Sequence, residues 1–423
     1  MPTSTANNQF PQFPEDIIRG LAREFVDLYA PIREVLPQAL WLSFCTYLGA
    51  VVSPCLRLES SSSEPRIYGA IVGRSARTRK STAASAAKEV FETAFPEISA
   101  EGAALHIVPG FGSSEGLLSE LEAYPHVPTV VYLDEINVLA SKTSGEGTIG
   151  ISAFNKLFND HDYSHPLASG KGPRFKNAYL SLLGASTVED FTETWKGKHA
   201  AAGFFSRLLL VGADESEIRI PIPKDPDPAT LRALVNGLQR VYQNVKNNPR
   251  CYRLSTGAEE TWGRFYACIG ESDEWNRIDT YGLRLITLQT LLEDEDQVTE
   301  AIVQRVIDFL HYQVAVRKIL SPVIAENALA GLQQRIINAF SGEKILTKRQ
   351  LDRKINAARH GTKLVKEAVA GLIDDGRLKM RKDDRHKATF ELLEDDVDDP
   401  GTAEPAWAVS SGLDDSRDVG HVQ

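Results

Sequence analysis

The sequence predicts an α/β protein built on a parallel sheet, and three observations carry that prediction. Strand-like apolar runs alternate with helical stretches between 66 and 211. A basic turn ending in Lys80-Ser81 joins the first of those strands to a helix. A later apolar run, 129–133, ends in the paired carboxylates Asp134-Glu135. Strands that alternate with helices imply crossover connections, hence parallel strands covered on both faces. At 423 residues the chain exceeds one compact core, so two or three domains are expected. We divide it into an N-terminal helical segment (1–60), the α/β core (61–225), a helical subdomain (226–322), a basic module (323–393) and an acidic tail (394–423).

Taken in order, 15–35 and 38–52 read as two helices. The stretch 35–56 holds no charged residue and is long enough to reach across a bilayer. Pro37, Gln38, Ser43, Thr46, Ser53 and Pro54 interrupt its hydropathy, so a buried helix is expected, not a membrane span. Residues 1–8 lack the basic-then-apolar pattern of a signal peptide. Strands follow at 67–72, 105–108, 129–133, 178–183 and 207–211, with helices at 81–95 and 114–123. Residues 142–177 are rich in Gly, Ser, Asn, Asp and His, the composition of a functional loop. From 227 to 321 the pattern is helical throughout. Past Asp395 the tail is too poor in apolar residues to fold alone.

Composition narrows the class. With 42% hydrophobic and 25% charged residues, the chain is neither collagen-like nor wholly disordered. Cys45, Cys55, Cys251 and Cys268 form no close pair, which excludes a zinc ribbon or disulfide framework and suits a reducing cytoplasm. The net charge of −10 would oppose a nucleic-acid partner if evenly spread, but it is not. Residues 344–387 carry fourteen Lys or Arg against six acids, and 391–423 carry ten acids against one arginine.

The turn Gly73-Arg74-Ser75-Ala76-Arg77-Thr78-Arg79-Lys80-Ser81-Thr82 lies where a phosphate-binding loop must lie, between a strand and the helix it feeds. There backbone amides and a helix N-terminus meet phosphates, a lysine reaches the outer oxygens and a hydroxyl holds Mg²⁺. Lys80 and Ser81 stand in the order of G-x-x-x-x-G-K-[ST]. Arg79 replaces the second glycine, and Gly73 lies one residue too far upstream. Asp134 would organise the Mg²⁺ shell and Glu135 would polarise the attacking water. Ser186 or Thr187, after strand 178–183, would sense the terminal phosphate or cap the helix that follows. Arg207 opens an apolar strand, where a lone charge is costly. It reads as an arginine finger acting on a neighbouring subunit, or as half of a structural salt bridge.

Together these residues resemble the helicase-like P-loop ATPases (YfjI-type) of phages, plasmids and mobile elements, which are often fused to or placed beside a primase. The likeness covers about 60–320 and rests on Gly73 to Thr82 with its Arg-Lys-Ser-Thr ending, on Asp134-Glu135, and on Gly203-Phe204-Phe205-Ser206-Arg207-Leu208-Leu209. It also includes Tyr281-Gly282-Leu283-Arg284-Leu285-Ile286, in which Ile286 replaces the usual alanine. The resemblance implies a RecA/AAA-like core, ATP hydrolysis with Mg²⁺, a hexamer-type ring and a role in replicating mobile DNA. It makes Arg284 a second-sensor arginine, the alternative being an exposed helix charge. No primase domain fits in this chain, so any priming partner is a separate protein.

The basic module reads as a winged helix: a helix at 329–340, a short strand at 345–346, a Thr347-x-x-Gln350 capping box, a helix at 361–375, and strands 378–382 and 388–393 around a wing. Arg359, Lys363, Lys366, Lys379, Arg381, Lys382, Arg385 and Lys387 are the expected DNA contacts. The expected whole is a cytoplasmic, ring-forming ATPase motor on DNA. Its rivals are an ATP-switched initiator or loader that never translocates, and a regulatory module with a degenerate phosphate loop.

Overall fold

The computed structural model describes residues 10–59, 61, 63–74, 78–96, 102–142, 150–164, 172–195, 203–214, 219–321, 328–341, 343–382 and 388–393. The chain divides into two compact units, 1–324 and 325–423. The segment, core and subdomain delimited before residue 322 share one continuous hydrophobic core.

Its centre is a five-stranded parallel sheet. In chain order the strands of this unit are β1 (Leu56–Leu58), β2 (Tyr68–Gly73), β3 (His106–Pro109), β4 (Thr129–Leu133), β5 (Tyr163–Ser164), β6 (Arg174–Phe175), β7 (Leu180–Ser186), β8 (Leu209–Ala213) and β9 (Arg250–Tyr252). The central sheet has the order β3-β4-β7-β2-β8, all parallel. Every residue of β2, β4, β7 and β8 is buried. These strands therefore read as unbroken apolar runs without alternation, as both-face burial requires.

The helices are α1 (Gly20–Arg33), α2 (Pro37–Val52), α3 (Lys80–Ala94), α4 (Ser114–Ala123), α5 (Asn137–Lys142), α6 (Gly150–Asn159), α7 (Val188–Thr194), α8 (Pro228–Asn247), α9 (Thr256–Ala267), α10 (Ile278–Leu292) and α11 (Glu300–Leu320). The uncharged stretch becomes α2, whose residues from Ala39 to Val52 are all buried between the sheet and α1, α3 and α8. Its polar interruptions cost little there, because the Ser43 and Thr46 hydroxyls donate to the Ala39 and Leu42 carbonyls at 2.8 Å. Among the described residues no helix is long and apolar enough to cross a membrane.

Right-handed crossovers place α3 and α7 on opposite faces of the sheet, because the chain leaves β2 toward β3 but leaves β7 past β2 toward β8. The two paths diverge at the β2–β7 seam. A crevice beyond the C-terminal strand ends at such a seam is where parallel α/β sheets receive ligands. β8 is held at its far side by Phe10, whose ring lies 2.2 Å from where a Cβ on Gly212 would stand, so only glycine fits. The strands β1 and β9 pair in parallel inside regions expected to be loop and helix. At three residues each they are too short to show a period.

The second unit has helices α12 (Ala328–Asn338), α13 (Lys348–Lys354), α14 (Ala357–His360) and α15 (Thr362–Asp374). Its antiparallel sheet has the order β10-β12-β11, formed by β10 (Ile345–Thr347), β11 (Leu378–Lys382) and β12 (Ala388–Leu392). Leu332, Ile336, Phe340, Leu351, Leu372 and Phe390 belong to a separate core. The capping box forms as expected, with the Thr347 hydroxyl accepting from the Gln350 amide and the Gln350 side chain accepting from the Thr347 amide.

Candidate functional site

β2 ends at Gly73, and α3 opens at Lys80 with its N-terminus at the C-terminal end of the sheet. Between them Arg79 takes the left-handed conformation, φ +47° and ψ +33°. This is the region where glycine is free and an L side chain is strained. The glycine replaced in the motif is thus replaced in sequence but not in backbone shape. The Arg79 side chain turns away from the loop to Glu34, with Nη2 and Nε 3.1 and 3.3 Å from Oε2. Glu34 also accepts from the Ile220 amide at 2.6 Å. That amide first, and then Arg79, holds its carboxyl below the usual range. The Arg79 side chain is thus spent on Glu34, while its backbone shapes the loop.

Lys80 Nζ donates to Gly73 O at 3.0 Å, to Arg74 O at 2.9 Å and to Thr78 Oγ1 at 3.0 Å. Partial burial lowers its pKa, while the carboxylate of Glu189, in the first turn of α7, raises it. Ser81 is exposed and Thr82 half-buried in the first turn of α3. Ser75 lies outside the described residues.

β7 separates β2 from β4, so the lysine-bearing turn and the acidic turn stand two strand spacings apart, about 10 Å. Val72 pairs with Ser186 and Leu133 with Gly184, so all three strands finish at the same edge of the sheet, β4 two residues before β7. Asp134 and Glu135 are exposed there. Asp134 Oδ1 accepts from the Tyr132 hydroxyl at 2.6 Å. Burial, and then this carboxylate, push the Tyr132 phenol up to about 12, against a hydrogen bond from Ser85 of α3. Tyr132 therefore ties the acidic turn to the second turn of the helix that Lys80 opens. Ser186 and Thr187 differ in their partners. Thr187 caps α7, accepting from the Asp190 amide at 3.1 Å. Ser186 ends β7 and accepts from Asn137 Nδ2 at 3.0 Å. Asn137 Oδ1 is buried without a partner.

Arg207 and Arg284 are not at this end. Arg207 lies in a short turn before β8, and Leu209 pairs with Gly69 while Ala213 pairs with Gly73. Arg207 therefore stands before the start of β8, beyond four strand steps, or more than about 13 Å, from the level of Gly73. Its Nη1 donates to Gly203 O at 2.6 Å, and no carboxylate pairs with it among the described residues, so the salt-bridge alternative is not observed. Arg284 is fully enclosed at the same far end. Its Nη1 and Nη2 donate to Arg66 O at 2.8 Å and Phe158 O at 2.6 Å, and its guanidinium lies 4.0 Å from the Phe158 ring centre. The second-sensor assignment for Arg284 is therefore corrected: it braces the N-terminal ends of the strands and does not reach its own loop. Arg317, which the sequence did not single out, does the same with four carbonyls, those of Glu274, Asn276, Ser206 and Leu208.

Site residues missed from sequence are Glu34, Tyr132, Asn137 and Glu189. Asn137 and Glu189 each lie within three residues of a predicted one, a closeness that offered a signal. Glu34 acts across a long sequence separation and offered none.

In the second unit Lys363, Lys366 and Lys379 are exposed. Arg381 Nη2 meets Glu391 Oε2 at 2.7 Å across the β11–β12 pair. Arg385 and Lys387, and the side chains of Arg359 and Lys382, lie outside what is described. No protein-family model matches the chain, and no curated protein matches it.

Proposed function

We propose that residues 1–324 form a P-loop ATPase of RecA/AAA type, that the second unit is a winged helix that binds DNA, and that the whole is a helicase-like motor in the replication of mobile DNA. One observation carries the ATPase reading. A lysine opens a helix at the end of one strand, and an Asp-Glu turn ends the strand two places away. The strand between them ends in a serine, and all three finish at the same edge of the sheet.

The residues fit a nucleotide and its metal. Lys80 Nζ already holds three oxygens in hydrogen-bonding reach, the environment that phosphate oxygens would supply. Ser81 and Asp134 are exposed hard oxygen donors. Among the described residues no cluster of three or more His, Cys, Asp or Glu stands ready to cage a metal alone. Mg²⁺ takes one or two protein oxygens plus phosphates. When bound it would neutralise phosphate charge. The amides at the start of α3 and Lys80 orient the triphosphate. Glu135 accepts the proton of the attacking water, and Ser186, steadied by Asn137, contacts the outermost phosphate. Arg207 serves a neighbouring subunit in the ring.

The test is ATP turnover by the full chain, with and without single-stranded and duplex DNA, for wild type, Lys80→Ala and Glu135→Gln. Both variants should lose turnover while keeping the fold. Turnover at wild-type rate in both would refute the site. Strand displacement on a forked duplex separates a motor from an ATP-switched loader.

A further inference from the structure

α15 carries two apolar stripes, and the core of the second unit covers only one of them. Ala368 and Leu372 are buried in that core. Val365, Val369 and Ile373, four residues apart, form the neighbouring stripe and are only half-buried. They line a groove of about 480 Å³ together with Leu351 of α13, Met380 of β11 and Phe390 of β12. Met380 is 44% exposed there. Lys348 and Lys366 also line the groove, and its one carboxylate, Asp352, already meets Lys348 at 3.6 Å. Aliphatic side chains give a phosphate no partner, so the DNA reading leaves the groove unexplained.

Residues 394–423 follow β12 and lie outside the described residues. Their sequence is the complement of the groove. Trp407 is the only Phe, Tyr or Trp among them, set in Ala406-Trp407-Ala408-Val409; six acids precede it between 394 and 404, and three follow between 414 and 418. An apolar anchor between acidic runs matches an apolar groove lined in part by lysines. Fourteen residues lead from Leu393 to Trp407, a flexible span of about 20 Å. A link this short holds the segment at the groove with an effective concentration of about 1 mM. We propose that the groove is the docking site of the chain's own segment 403–413, with Trp407 seated on the Val365, Val369 and Ile373 stripe and the flanking acids over Lys348, Lys363 and Lys366. A docked tail covers Lys366 and so competes with DNA for the second unit. That consequence rests on the winged-helix reading; the docking itself does not.

The test uses the full chain grown with 5-fluorotryptophan, whose five tryptophans give five fluorine signals. The signal missing in Trp407→Ala is that of Trp407. In the wild type it should lie away from its position in a free 394–423 peptide. The double variant Ala370→Gln, Met380→Gln changes two exposed groove positions without altering charge. There the signal should move to the peptide position, with the urea midpoint of the second unit kept. Trp407→Ala should bind duplex DNA about tenfold more tightly than wild type, because a contact of about 0.1 mM tethered at about 1 mM leaves about one-tenth of the unit free. A wild-type signal at the peptide position would overturn the proposal, as would a displaced signal that the double variant does not move. Displacement lost on dilution would overturn it in favour of a second copy as the occupant. Equal DNA affinity of wild type and Trp407→Ala would overturn the competition. DNA binding by neither would instead refute the winged-helix reading, and the fluorine signal alone would then decide the docking.

Discussion

Replacing Arg79 by glycine and, separately, by alanine tests whether the loop is a phosphate loop in shape despite its sequence. At φ +47° and ψ +33° Arg79 occupies backbone space that costs a residue with a Cβ about 1–2 kcal/mol. Glycine is free of that cost but loses about 0.5–1 kcal/mol more chain entropy on folding. Both variants lose the contact with Glu34, so that contribution cancels in the comparison. Arg79→Gly should therefore be more stable than Arg79→Ala by about 0.5–1 kcal/mol, read from the urea midpoint of the transition that melts the 1–324 unit. Because the side chain points to Glu34 and not into the loop, both variants should still bind a fluorescent ATP analogue, the glycine variant at least as tightly as wild type. Alanine equal to or better than glycine would refute the left-handed backbone. Loss of analogue binding in Arg79→Gly would show that the side chain, not the backbone, meets the phosphate.

Two other outcomes follow from the same geometry. Arg317 is fully buried and gives hydrogen bonds to four carbonyls, so Arg317→Ala should cost about 3 kcal/mol or more in urea unfolding, and Arg317→Lys should recover little because an ammonium cannot copy the planar fork. If Lys363 and Lys366 contact phosphates, changing both to alanine should weaken DNA binding alike for all sequences and flatten the log–log salt slope by about 0.9 for each lysine; an unchanged slope would remove that surface from the DNA interface.

The sequence showed most of the fold because its strands are buried on both faces. Complete burial demands unbroken apolar runs, so β2, β4, β7 and β8 announced themselves within two or three residues of their observed bounds. The same logic read α2 correctly, since a helix with no exposed face carries no charge to give it an amphipathic pattern. The site was half legible. Lys80, Asp134 and the pair Ser186-Thr187 were picked out by their place at or near a strand's end, but which of that pair caps the next helix shows only in the partners of Thr187. Arg284 misled because local pattern cannot tell which end of the sheet a helix reaches. Three-dimensional packing puts it beside Arg66 and Phe158, not beside Lys80. Glu34 was invisible for a related reason: it steadies the Arg79 turn from the end of α1, a pairing that only the packing of α1 against the core can make.

A parallel sheet has two chemically different ends, and here the difference decides what one chain can complete. All five strands finish at the end that holds Lys80, Ser81, Asp134 and Glu135, and all begin at the end that holds Arg66, Arg207, Arg277 and Arg284. Asp134, Glu135 and a helix start face one way, and a group of arginines, of which Arg66 alone pairs with a carboxylate among the described residues, faces the other. If the arginines serve a phosphate, the contact that delivers them joins the start of one sheet to the finish of the next. Such a contact uses two different surfaces: repeated head to tail it builds a ring or an open helix, and closed reciprocally it gives a two-fold dimer. The ratio of Arg207→Ala to Lys80→Ala subunits then becomes informative. Productive contacts in a random mixture arise only where the chain with the intact loop faces the chain with intact arginines, so restored turnover should peak near equal amounts and fall away on either side. A two-fold dimer that shared its sites reciprocally would show the same peak, but would not grow beyond two subunits when nucleotide is added.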